Sequence, residues 1–110
     1  MKQNQYSIIG LMSGTSLDGL DIAFCHFEQT NDKWEFSIIE SKTYPYTEAW
    51  KRRLQNIENE SALNFVKTDH DLGLLFGEKV NAFLTEFNLD NTSIHAIASH
   101  GHTIYHQPHL

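Results

Sequence analysis

Two apolar runs separated by seven turn-forming residues restrict the folding of this chain more than any other feature. The first run, Tyr6 to Met12, carries Ile8, Ile9, Leu11 and Met12, and its length and β-branched content predict a buried strand. Ser13-Gly14-Thr15-Ser16-Leu17-Asp18-Gly19 then gathers turn formers, and Leu20 to Phe27 is the second run. In that run Leu20, Ile22 and Phe24 take one face while Ala23, Cys25 and Phe27 take the other. A strand apolar on both faces belongs in the middle of its sheet. Thr30-Asn31-Asp32 reads as the next turn, after which Trp34, Phe36 and Ile38 alternate with Glu35 and Ser37 as a third strand. Three strands joined by short turns make an antiparallel meander.

Helices follow Pro45. Thr47 is a candidate cap, with Trp50, Leu54 and Ile57 at helical spacing behind it. A longer helix is predicted over residues 61–87, where Leu72, Phe76, Val80, Phe83 and Phe87 form one packing stripe. Gly73 and Gly77, one turn apart, leave room for another element to approach. After a turn over residues 88–93, Ile94 to Ser99 reads as a buried strand ending at His100-Gly101. The order β-β-β-α-α-β predicts an α/β fold: a mixed sheet with an N-terminal antiparallel β-meander and crossover helices. The short apolar patch Thr103 to Tyr105 at the end reads as a strand begun, which makes the chain the front portion of something longer.

Composition narrows the function classes. Of 110 residues, 40% are apolar and 20% charged, with 2 Pro and 6 Gly, which excludes collagen-like, proline-rich and disordered classes. No run of about 18 apolar residues exists to span a membrane, and Met1 to Tyr6 is polar, unlike a secretory signal. One cysteine, Cys25, excludes an intrachain disulfide framework and fits a reducing, cytoplasmic setting; it reads as a small buried apolar residue. A net charge of −6 matches a nucleic-acid backbone poorly. The expectation is a cytoplasmic globular protein with neither nucleic-acid nor membrane partners.

The loop between the first two strands carries the chemistry. Glycines expose backbone N–H groups in nests that bind anions, and the hydroxyls of Ser13, Thr15 and Ser16 are suited to phosphate oxygens. No Lys or Arg lies between Lys2 and Lys33, so Asp18 and Asp21 would repel a bare phosphate. Mg²⁺, which keeps waters and bridges carboxylates to phosphates, resolves that conflict. The loop therefore reads as a site for a metal–nucleotide complex. An ordinary hairpin explains the same composition, since Asp-Gly is a favoured hairpin dipeptide. A Walker loop is excluded because no Gly-Lys-Ser/Thr is present, and a Rossmann fingerprint because a strand, not a helix, comes next.

The segment Ile9-Gly10-Leu11-Met12-Ser13-Gly14-Thr15-Ser16-Leu17-Asp18-Gly19-Leu20-Asp21 resembles the N-terminal signature of the anhydro-N-acetylmuramic acid kinases, within the superfamily of actin, sugar kinases and heat-shock chaperone ATPases. Ser99-His100-Gly101-His102-Thr103-Ile104-Tyr105-His106-Gln107-Pro108 resembles that family's His-Gly-Gln-Thr stretch, with His102 standing where the family has glutamine. A neutral imidazole donates or accepts at each nitrogen but does not do both there, as an amide side chain does. The resemblance implies a ribonuclease H-like, actin-like ATPase domain, of which residues 1–110 form the N-terminal part, with a phosphate-binding hairpin at 12–21. It implies ATP and Mg²⁺ as cofactors and an anhydro-amino-sugar of the cell wall as substrate. Gly14, Thr15, Ser16, Leu17, Asp18, Gly19, Leu20 and Asp21 would then contact the nucleotide. Asp18 and Asp21 would hold the metal through water, and His100, Gly101, His102 and Thr103 would face the sugar. The catalytic base is expected after Leu110, so no catalytic residue is assigned here. Dimers occur in the family, so a homodimer is compatible.

Seven histidines, four of them among residues 100–109, invite a metal-site reading, in which His100, His102 and His106 share a strand face. No cysteine or carboxylate joins them, which favours sugar contacts instead. His26, His70 and His95 read as surface or packed residues. Two alternatives to the kinase remain: a non-catalytic actin-like nucleotide-binding module, and a small histidine-rich metal carrier.

Overall fold

The computed structural model describes residues 4–104. The strands β1 (Gln5–Ser13), β2 (Gly19–Thr30) and β3 (Lys33–Pro45) come first, followed by the helices α1 (Glu48–Gln55) and α2 (Ala62–Glu86) and the strand β4 (Ala96–His102). Short 3₁₀ turns at Ile57–Asn59 and Asn91–Ser93 bracket α2. The sheet order is β3-β2-β1-β4, with β1, β2 and β3 antiparallel and β4 parallel to β1. The fold is thus the mixed α/β sheet expected, opening on an antiparallel meander. Because β3 and β4 run the same way, the chain must cross the sheet between them, and α1 and α2 make that crossing.

Local chemistry sets the corners. Asn31 and Asp32 have φ of 51° and 65°, the double left-handed conformation of a two-residue hairpin turn matched to strand twist. Thr47 accepts the Trp50 N–H at 3.2 Å and caps α1, while Ser61 accepts the Asn64 N–H at 3.2 Å and caps α2. Arg52 and Arg53 sit in the last turn of α1, where they complement its dipole.

The helices cover one face of the sheet. Ile9 and Leu11 of β1 and Leu20 and Ile22 of β2 meet Leu54 of α1 and Leu72, Val80 and Phe83 of α2. Phe76 and Phe87 pack against the rim of this cluster, which completes the stripe read from the sequence. Two ion pairs fasten the layer: Arg53 to Asp71 at 2.7 Å joins α1 to α2, and Lys42 to Glu86 at 2.7 Å joins β3 to the end of α2. The Lys42 ammonium, hydrogen-bonded to it, holds the Glu86 carboxyl below its usual range.

The structure qualifies three expectations. The last strand is not buried: it forms an edge of the described sheet, and Ile97 is 56% exposed. The helices pack over β1 and β2, which leaves β4 outside the main cluster. Gly73 and Gly77 do leave room, but no element among the described residues takes it, since a Cβ built on either meets no atom within 4 Å. The third strand runs on to Pro45, well beyond its apolar alternation, and Trp34, Phe36 and Ile38 lie exposed on the uncovered face. There Tyr6 packs on Trp34 and Phe27 on Phe36.

Phe83 is fully buried at the centre of the helix–sheet contact. Phe83→Ala is expected to cost about 3–5 kcal/mol, read as a fall in the urea midpoint with little change in slope.

Candidate functional site

The bend between β1 and β2 spans residues 14–18. The Leu17 N–H donates to the Gly14 carbonyl at 3.2 Å, closing a turn with Thr15 and Ser16 at its tip. Leu17 takes a left-handed φ of 59°, unusual for a branched residue, and its side chain packs against the core. That anchor turns the bend outward, so Thr15, Ser16 and Asp18 are exposed and Gly14 half-buried. Gly19 and Leu20 sit differently. Both are buried, and the Leu20 side chain belongs to the core, so either offers a ligand only its backbone. Asp21 is exposed on the uncovered face of the sheet, where its carboxylate accepts from Thr43 Oγ1 at 2.5 Å.

Gly19 is required by geometry. A Cβ there would lie 2.4 Å from the Tyr44 carbonyl oxygen and 2.9 Å from Pro45 Cα, both backbone atoms. The Tyr46 N–H then donates to the Asp18 carbonyl at 3.4 Å, so the end of β3 holds the base of the bend.

At the root of the bend lies a buried polar cluster. Ser13 is fully buried, and its hydroxyl meets Tyr46 OH at 2.5 Å and His102 Nδ1 at 2.7 Å. Burial lowers the His102 pKa, because a charged imidazole would lose its hydration there. Burial raises the Tyr46 pKa, opposed by the Ser13 hydrogen bond and aided by the negative Asp21. Both groups are therefore neutral near pH 7.

The pairing of β1 with β4 shifts between Leu11 and Ser13: Leu11 is opposite Ser99, but Ser13 is opposite His102. The extra residue is accommodated at Gly101, with φ of 75°. His100 consequently borders a groove of about 810 Å³ on the uncovered face, with Gly10, Met12, Asp21 and Thr43. His102 borders a second groove of about 390 Å³ on the helical side, with Thr68, Asp69, Leu72 and Ile104. The shared histidine face expected from the sequence is corrected: His100 and His102 look in opposite directions, and His106 lies outside the described residues. Among the described residues no group of three His, Cys, Asp or Glu side chains is placed to hold a metal ion. Thr103 follows His102 as a half-buried residue just past the strand end. His95 is structural, its Nδ1 accepting the Ser7 N–H at 2.9 Å. Tyr46 was not singled out in the sequence, where a tyrosine after proline carries no chemical signature.

The profile of the anhydro-N-acetylmuramic acid kinase family matches residues 6–110. The chain belongs to that family. It is 38% identical to the anhydro-N-acetylmuramic acid kinase of Pseudoalteromonas atlantica, over 97% of this chain and 27% of that protein. Against the namesake of a Sulfurovum species it is 40% identical, over 96% of this chain and 29% of the relative. The Bacillus thuringiensis kinase is 36% identical, with 92% of this chain and 27% of that protein covered. The chain thus spans less than a third of these relatives' length. The matched region holds both the 14–18 bend and the 99–104 stretch, so the features that meet at Ser13 lie within it. Among the described residues no helix is long and apolar enough to cross a membrane.

Gly19→Ala would force β3 away from the base of the bend. A loss of about 1–3 kcal/mol is expected from such overpacking, read by thermal or urea unfolding.

Proposed function

We propose that residues 1–110 are the N-terminal part of the first, actin-like domain of an ATP-dependent sugar kinase of cell-wall recycling. The whole protein would convert 1,6-anhydro-N-acetylmuramic acid, ATP and water to N-acetylmuramic acid 6-phosphate and ADP in the bacterial cytoplasm. Water adds its oxygen to C1, the C1–O6 bridge breaks, and O6 takes the γ-phosphoryl group. The observation that carries this reading is the exposed 14–18 bend, rooted through Ser13 in the strand end that bears His102, within a chain of this kinase family.

Phosphoryl transfer asks a protein mainly to position groups and stabilise charge. The backbone N–H groups around Gly14 to Asp18 and the hydroxyls of Thr15 and Ser16 are available for the β- and γ-phosphates. Gly19, Leu20 and Asp21 continue that contact into β2, the first two through backbone alone. No resident metal cage is needed. A Mg²⁺ carried by the nucleotide keeps most of its waters and takes one or two carboxylates, which the exposed Asp18 and Asp21 can supply through water. When bound, the ion neutralises charge on the transferring phosphate. The sugar would meet the end of β4, where His100, Gly101, His102 and Thr103 offer polar groups. The aspartate that acts as base is expected beyond Leu110, so the 110 residues alone should transfer no phosphate.

Incubating the protein at its natural length with ATP, Mg²⁺ and the anhydro-sugar should produce a sugar 6-phosphate resonance in ³¹P NMR. ATP binding with no transfer would instead make it a nucleotide-binding module without kinase activity. Gly14→Ala separates binding from folding. Its Cβ meets nothing within 4 Å, so the unfolding midpoint should hold while ATP affinity falls roughly tenfold, about 1.4 kcal/mol.

A further inference from the structure

Ser13, Tyr46 and His102 come from three separate places, the end of β1, the approach to α1 and the end of β4, yet their polar atoms form one continuous line. The proton order along it follows from acidity. A phenol is a stronger acid than an alkanol, so Tyr46 O–H donates to Ser13 Oγ, and Ser13 O–H then has His102 Nδ1 as its acceptor. Nδ1 accepts only when it carries no proton, which leaves the ring proton on Nε2. The ring borders the groove with Thr68 and Asp69. We propose that Tyr46 and Ser13 act as positioning residues that fix His102 as the neutral Nε2–H tautomer, so that position 102 presents one hydrogen-bond donor to an acceptor oxygen of the ligand in that groove.

The assignment deepens the kinase reading and, for its kinetic arm, rests on it. A tautomer is otherwise a balance between two nearly equal forms, and a free imidazole would offer donor or acceptor indifferently. Here the choice is made by a fully buried hydroxyl whose other neighbour, the more acidic Tyr46 phenol, serves as its donor. The same contact ties the root of the 14–18 bend to β4, so ligand contact at His102 and the placement of the bend are mechanically joined.

Protonation undoes the arrangement. An imidazolium has an N–H at both nitrogens, and the Ser13 hydroxyl must turn away from Nδ1 and contend with Tyr46 for its direction. The surrounding charges are few. From α2, Asp69 lines the groove, and Asp71 pairs with Arg53 of α1, which also donates to Thr68 Oγ1 at 2.9 Å. Asp18 and Asp21 lie on the Tyr46 side, Asp18 bonded through its carbonyl and Asp21 acting through its charge. On β4 itself His100 faces the opposite groove. Burial disfavours the charged ring. Because the folded-state pKa is depressed, the relay is intact above the ordinary histidine range and is lost as pH falls through the lowered value.

Long-range ¹H–¹⁵N NMR on the protein at its natural length tests the tautomer directly. At pH 7.5 His102 should show protonated Nε2 and bare Nδ1, and Ser13→Ala should shift it to a mixture. In sugar phosphorylation, Ser13→Ala and His102→Leu should raise the sugar KM about tenfold, more than they lower kcat. His102→Gln, whose amide oxygen can take the Ser13 proton while its NH₂ donates to ligand, should restore KM and make it independent of pH across the range in which His102 protonates. A protonated Nδ1, an unchanged tautomer in Ser13→Ala, or a sugar KM that stays raised in His102→Gln would overturn the relay. Absence of phosphorylation by the unmodified protein counts against the kinase reading alone, and the NMR result then decides the relay.

Discussion

The backbone of β3 lies against Gly19 at a distance no side chain would permit, and the arrangement around the 14–18 bend depends on that approach. A bend of five residues between two strands would ordinarily drift, because a loop tip has few contacts to set its direction. Here it is held at its base on both sides. Gly19 lets the Tyr44–Pro45 segment close in, Tyr46 then reaches the Asp18 carbonyl, and Leu17 inserts into the core behind them. The exposed tip is thereby mounted on a base fixed by backbone contact, a hydrogen bond and core packing.

The one-sided packing of the sheet has a related effect. Helices cover β1 and β2 on one face, and the hydrophobic contact centred on Phe83 fixes those two strands most firmly. A hydroxyl buried at the end of such a strand must find partners or cost about 1–3 kcal/mol. Ser13 finds two, and no buried side-chain polar atom among the described residues lacks one. Satisfying Ser13 draws together the 14–18 bend, the approach to α1 and the end of β4. A local hydrogen-bonding demand thereby organises the polar corner of the fold.

Much of this was legible in the chain. The element order, the Thr47 cap, the Asn31–Asp32 turn and the α2 stripe all follow from local preference and periodicity, and each acts within a few residues. What was not legible depends on contacts between distant residues. The apolar run Ile94 to Ser99 fits an edge strand as well as a buried one, since only its neighbours decide. Gly73 and Gly77 have the spacing of a close helix contact, but no partner among the described residues meets them there. Tyr46 carries no signature, and its role exists only because Ser13 and His102 converge on it. Of the candidate site, the bend could be named from residue types alone, whereas the direction of each histidine could not.

That last point turns on Gly101. A strand is a two-letter frame, in which every second side chain speaks to the same layer, and the residue inserted there is a frameshift in space. Upstream of it the frame assigns His100 to the bare face; downstream it assigns His102 to the helical one. Hold the strand regular through that position with Gly101 kept, and His102 would fall on the bare face beside His100, away from the layer that holds Ser13. The meaning of the His-Gly-His run thus resides less in its imidazoles than in the glycine that spaces them.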